Sequence, residues 1–389
     1  MRSPARIDGR FLAVLLVASC ASQPKAGDRC LGYSPATIVF RDSTLLREDS
    51  VSYIANPAAF FVLDHDGTSY IPDAGLNRVL GFGRDGRPTS RYGRVGDGPG
   101  EFRAVSPVGL VTGRLLWQGD YRRRRVQVFD LDSGMLTGDW GYRGRLTHLT
   151  STGDTVLVGI VDHSLGLAMT RVARPTAPSS VGADPLAPTE IPLPVEYVEY
   201  PRLKEWDDFR IAGWSDTIIA AFGGVDYLVR FVAGRAIDTA WIPVCQRRGT
   251  PRALLDRWFR DLPRTAEEEN AFRAEAETGI SALLGLWRLP NGRLVLWHQD
   301  PFFQVREQRR ILQGTAFITV IAADFRSACV DAPVPPPSSG RPRLAMAAGR
   351  LASLDQDVSE DPGGPTVRSV IRFYELDDAP CTWLPTTRP

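Results

Sequence analysis

Two stretches of the chain repeat one another. Asp73-Ala74-Gly75-Leu76-Asn77-Arg78-Val79-Leu80-Gly81-Phe82 aligns with Asp120-Tyr121-Arg122-Arg123-Arg124-Arg125-Val126-Gln127-Val128-Phe129, 47 residues further on, with Asp, Arg, Val and Phe coinciding. Each copy runs into a turn, Arg84-Asp85-Gly86 in the first and Asp132-Ser133-Gly134 in the second. A period of this length is that of one supersecondary unit. A small sheet cannot bury both its faces alone, and stacking copies around an axis supplies the missing apolar neighbours. The repeat therefore points to a radial, all-β architecture.

Between the copies lies Gly93-Arg94-Val95-Gly96-Asp97-Gly98-Pro99-Gly100-Glu101-Phe102, whose glycines and proline exclude a regular helix and mark a tight loop. A Gly-rich segment ending in Gly98-Pro99-Gly100-Glu101-Phe102, then strands, then Asp120 with Arg125 and Val126-Gln127-Val128-Phe129, resembles the NHL-type repeat of six-bladed β-propellers. The resemblance covers about residues 58 to 140 and implies an all-β, six-bladed β-propeller. The strand rhythm continues beyond it through Thr155–Val158, Thr217–Ala221, Tyr227–Phe231, Leu284–Arg288, Arg293–Trp297, Thr315–Val320 and Arg368–Phe373. Counting outward gives blades near 51–97, 103–141, 145–180, 207–247, 281–333 and 341–376. The last lacks an outer strand, and Ala36-Thr37-Ile38-Val39-Phe40 is a spare one that would close the ring and remove an exposed edge.

Two insertions interrupt the rhythm. Residues 174–203 carry Pro175, Pro178, Pro185, Pro188, Pro192 and Pro194 and read as an extended surface loop. Residues 252–277 read as helical, with Thr265 and Glu268 spaced as a capping box.

The first residues carry an address. Arg2, Arg6 and Arg10 precede the apolar run Phe11–Val17, which is too short to span a bilayer and reads as a signal peptide. Val17-Ala18-Ser19-Cys20 resembles the bacterial lipobox, which implies acylation of Cys20 and a membrane partner reached through a lipid anchor. Ala21 after the cysteine implies sorting to the outer membrane or cell surface. The expected organisation is a lipoprotein signal peptide over 1–19, a tether over 20–35, a propeller over 36–381 and a C-terminal tail over 382–389. A net charge of +1 supplies no field for nucleic acid, which is not expected as a partner.

Candidate chemistry is sparse. Cys30, Cys245, Cys329 and Cys381 remain in the mature chain as candidates for disulfides, with three pairings open. Their spacing matches no zinc cluster. His65, His148, His163 and His298 show no ligand spacing on one element, although a propeller gathers side chains from separate blades around its axis, as NHL-type lyases do for a metal. Asp64-His65-Asp66-Gly67 lacks the further oxygens of a calcium loop and reads as a β-turn. Asp73 with Arg78 and Asp120 with Arg125 recur at equivalent positions, which argues for architecture, since catalysis needs one site. Arg122–Arg125 reads as a solvated turn, and Trp206, Trp214, Trp241, Trp287 and Trp297 as blade packing. No serine-elbow, P-loop or dinucleotide motif occurs in supporting context. The sequence thus nominates no catalytic residue, metal ligand or cofactor. It favours a lipid-anchored module that binds a protein, glycan or small molecule, over a metal-dependent propeller hydrolase or lyase or a structural envelope component.

Overall fold

A computed structural model describes residues 33–152, 155–162, 166–173, 189–190, 194–200, 203, 209–232, 235–242, 252–259, 265–279, 281–306, 309–337, 343–347, 349–361 and 364–386. The expected signal peptide, Cys20, Cys30, His163, Trp206 and Cys245 lie outside these residues.

Among the described residues the first strand is β1 (Thr37–Leu45), and the sheets then follow in sequence order. The first sheet is β2 (Val62–Leu63), β3 (Ser69–Asp73), β4 (Arg78–Phe82) and β5 (Pro88–Tyr92). The second is β6 (Val105–Thr112), β7 (Leu115–Asp120), β8 (Arg125–Asp130) and β9 (Leu136–Gly141). The third is β10 (Arg145–Thr152), β11 (Thr155–Asp162), β12 (Gly166–Ala173) and β13 (Thr189–Glu190). The fourth is β14 (Phe209–Trp214), β15 (Thr217–Phe222), β16 (Tyr227–Val232) and β17 (Arg235–Trp241). The fifth is β18 (Ala282–Arg288), β19 (Leu294–Arg306), β20 (Arg309–Ile321) and β21 (Ser327–Pro333). The sixth is β22 (Leu344–Ala347), β23 (Arg350–Asp361) and β24 (Gly364–Asp377). All the strand pairs within them are antiparallel.

The six sheets form a β-propeller, because each seam between neighbours holds its own apolar core. Tyr70, Val79 and Tyr92 of the first sheet pack on Phe102, Leu116 and Phe129 of the second. The pattern repeats at each following seam. It returns where Ile71, Leu80 and Phe82 meet Ala345, Leu354 and Ile371 of the sixth sheet. Burial on both faces explains why β3 and β4 are buried at every position.

The ring closes through β1. It pairs with β24, Thr37 opposite Asp377 and Leu45 opposite Val370, and so becomes the outer strand that the sixth sheet otherwise lacks. The residues assigned to the C-terminal tail also join a sheet. Strand β25 (Leu384–Pro385) pairs with β21 on the fifth sheet. The disulfide Cys329–Cys381 and the bonds of Thr386 to Arg326 and Phe325 hold it there. One of the three open cysteine pairings thereby includes an observed bridge.

The first of the two insertions differs from its reading as an extended loop. Within 174–203, Thr189–Glu190 is a strand and Val195–Glu199 is a short helix, α1, whose Tyr197 is buried. Residues 252–259 are helical, and α2 (Ala266–Gly279) starts at Thr265 with both bonds of the capping box, Glu268 N to Thr265 Oγ1 and Thr265 N to the Glu268 carboxylate. Tyr197, Tyr200, Phe259 and Phe272 pack with Phe222 and Tyr227 against the fourth sheet. No helix among the described residues is long and apolar enough to cross a membrane.

Candidate functional site

The inner strands β2, β6, β10, β14, β18 and β22 surround a pocket of about 610 Å³ on the ring axis. Its mouth is formed by turns that follow these strands, at Asp64, His65, Gly113, Pro290 and Gly349. Phe60, Val62, Leu149, Leu284, Trp287 and Met346 share its walls with the polar Thr147, His148, Ser151 and Arg210. Trp287 is half-buried and stacks on the fully buried Trp297 at 6.2 Å. Its ring lies across Gly285, where an added Cβ would come within 2.4 Å of the indole, so only glycine leaves room for this wall.

Arg210 stands at the deep end. It is buried, and its Nε donates to the Leu284 carbonyl at 2.9 Å while Nη1 donates to the Thr147 carbonyl at 2.9 Å. One side chain on β14 thus ties β10 and β18 together. The guanidinium lies 5.6 Å from the centre of the Phe60 ring, which packs edge-on against Trp297. Beside it, burial pushes the His148 imidazole down to about 3, and the charge of Arg210 pushes in the same direction. His148 is therefore neutral at physiological pH, with a hydrogen bond to the Ile211 backbone holding its ring. The pocket can accordingly hold a molecule that carries both apolar and polar groups.

The structure places the other nominated residues elsewhere. Asp73 accepts from the backbone N–H groups of Ala55, Asn56 and Gly75, and Arg78 donates to the carbonyls of Val51 and Tyr53. In the next sheet Asp120 accepts from Arg103, Ala104 and Arg123, and Arg125 donates to the carbonyls of Gly98 and Glu101. Each Asp–Arg pair clamps the loop that leads into its own inner strand, on the side of the ring opposite the pocket mouth. In the loop itself, Glu101 accepts from Gly98 N and Arg94, which hold its carboxyl below the usual range, Gly100 N donates to Gln127, and Phe102 is fully buried.

Of the histidines, His65 and His148 line the pocket, at its mouth and deep end respectively. His298 is buried in the fifth sheet, stacked on Phe317 with Asp331 at 3.5 Å. Asp64 accepts from Asp66 N and Thr68 N and shapes the turn around His65. Among the described residues, no three His, Cys, Asp or Glu side chains come together as a metal would require. Arg122, Arg123 and Arg124 are exposed in a turn, whereas Arg125 is buried between Asp120 and Asp139. Trp297 is core, but Trp287 is a pocket wall, which differs from its reading as packing alone.

Sequence reasoning missed Arg210. Its signal was an arginine set in the apolar strand Phe209-Arg210-Ile211-Ala212, where a buried cation needs a dedicated set of acceptors.

The chain matches no protein-family profile. It is 36% identical over 88 residues to human NHL repeat-containing protein 3, a span of 22% of this chain and 25% of the human one. The mouse protein of the same name matches over an equal span at the same identity. The matched part is thus a quarter of these relatives' length. Among solved structures, a Bacteroides fragilis protein described as exported is similar over 89% of this chain and 96% of its own, with a TM-score of 0.51 and 8% identity. A β-propeller domain from Myceliophteria thermophila covers 88% of this chain and 99% of its own, with a TM-score of 0.44 and 9% identity.

Proposed function

We propose that this chain is a lipid-anchored, extracytoplasmic six-bladed propeller that binds a small molecule in its axial pocket, each sheet serving as one blade. The pocket carries the reading. Its volume of about 610 Å³ falls within the roughly 300–1,000 Å³ of small-molecule sites. Its walls mix apolar side chains such as Phe60, Leu149 and Trp287 with polar ones such as Thr147, His148 and Arg210, a combination that supplies affinity and orientation together. Lining residues come from all six inner strands, so the site exists only when the ring is closed. The lipobox-like Val17–Cys20 supports anchoring at Cys20.

Native mass spectrometry of the protein purified from its own envelope tests the binding. A retained non-covalent mass is expected in the wild-type protein and its loss in Leu284→Trp, which fills the pocket. Such overpacking costs about 1–3 kcal/mol, so thermal unfolding verifies that the variant is folded. Retention by both proteins would place the ligand elsewhere, and a bare wild-type protein would contradict the reading.

A further inference from the structure

Of the described side chains that line the axial pocket, five are ionisable: Asp64, His65, His148, Arg210 and Arg288. The one carboxylate is consumed by its own turn, since Asp64 accepts from Asp66 N and Thr68 N. Arg210 is built into the wall by its bonds to the carbonyls of Leu284, Thr147 and Phe209. Arg288 is placed differently. It ends β18 at the mouth, with its guanidinium 4.6 Å from the centre of the Trp214 ring on the neighbouring sheet. Arg78, Arg125, Arg230, Arg293 and Arg372 each lie against a carboxylate. Among the described residues Arg288 lies against none, and no acceptor takes its N–H groups. The Trp214 contact steadies the side chain and leaves its donors to the pocket.

Neighbouring residues of a strand point to opposite sides. Trp287 turns to the seam with the sixth sheet and Arg288 to the seam with the fourth, yet both line the pocket. An aromatic wall and a guanidinium thus stand side by side. Resting on the reading of the axial pocket as a small-molecule site, we infer that its ligand is an organic anion. A carboxylate, sulfonate or phosphate group sits on Arg288 at the mouth, and an apolar body lies against Trp287. The planar fork of a guanidinium matches such an oxyanion two bonds at a time. A cation would meet the charges of Arg210 and Arg288 inside a concave wall, where repulsion is concentrated.

A matched pair of probes tests the charge. Naphthoate and its neutral amide share one bicyclic body and differ in the anionic group. Equilibrium dialysis of the full chain in a neutral detergent, with micelles alone as the blank, measures both. The wild-type protein should hold naphthoate at least roughly tenfold more tightly than the amide, the ratio that one charge-assisted contact supplies. Arg288→Gln should bring naphthoate down to the affinity of the amide and leave the amide unchanged. Leu284→Trp, shown to be folded by thermal unfolding, should lose both. Equal affinity for the two probes in the wild type, or a ratio that survives Arg288→Gln, overturns the anionic ligand alone. Displacement of naphthoate by an equal concentration of inorganic phosphate overturns its apolar half. Binding that survives Leu284→Trp, or no binding of either probe, overturns this inference and the pocket reading together.

Discussion

At the residue scale, chemically identical side chains differ in what surrounds them. Gly86 and Gly134 occupy equivalent turns in the first two sheets, both with positive φ, +78° and +70°. A Cβ on Gly134 meets open space, whereas one on Gly86 would stand 2.0 Å from the Leu45 carbonyl oxygen of β1. Gly134→Ala should therefore cost only the left-handed backbone term, about 1–2 kcal/mol, and Gly86→Ala at least about 2 kcal/mol more. Paired thermal unfolding curves check the difference. Asp120 is fully buried against Arg125 and serves three N–H groups, so Asp120→Ala should destabilise by about 3–5 kcal/mol, measured by chemical denaturation. His148 adds a pH dependence. Its folded pKa, near 3, lies below the unfolded value near 6.5, so the unfolded chain takes up the proton first as the pH falls. Its contribution is intact above pH 6.5 and is lost progressively towards pH 3. Between pH 7 and pH 5 the loss is on the order of 2 kcal/mol, and His148→Gln should flatten that part of the stability profile.

At the element scale, what was legible in the sequence follows the Asp–Arg clamp. The first two sheets use it, and their strands fall where the repeat implies. In the fourth sheet the bond from Ile242 N to the Asp226 carbonyl matches that from Tyr142 N to Arg124, so Tyr227 takes the place of Arg125. Phe222 and Tyr227 there pack on helices instead of holding a loop by charge, which erases the signature without disturbing the strands. In the fifth and sixth sheets the hairpins β19–β20 and β23–β24 are lengthened, so the turn that carries the motif is gone. Strand β25 had no readable signal, because two residues show no alternation and the bridge that holds them cannot be chosen from spacing. That bridge closes a separation of 52 residues, worth about 4 kcal/mol on chain-entropy grounds. Cys381→Ala should lower the melting temperature and speed amide exchange at Ser327 and Ala328 ahead of the first sheet.

For the whole molecule, the same closure that makes the ring makes the site. The spare strand near the N-terminus was visible as an apolar run without a blade, and it pairs with β24. The axial pocket was not visible, because its lining is contributed a few residues at a time by strands from Phe60 to Gly349, and no local pattern marks a residue as facing the axis. A chain lacking β1 would leave β24 as an open edge, so shortening it past Leu45 should convert monomer into aggregate on size-exclusion chromatography. The central claim is that the axis holds a small molecule. A crystal structure of the protein isolated from its native host tests this directly. The account expects density bounded by Phe60, His148 and Trp287 that is too large and too continuous for solvent. Water alone in the pocket, with a ligand bound against the helices over the fourth sheet, would contradict it.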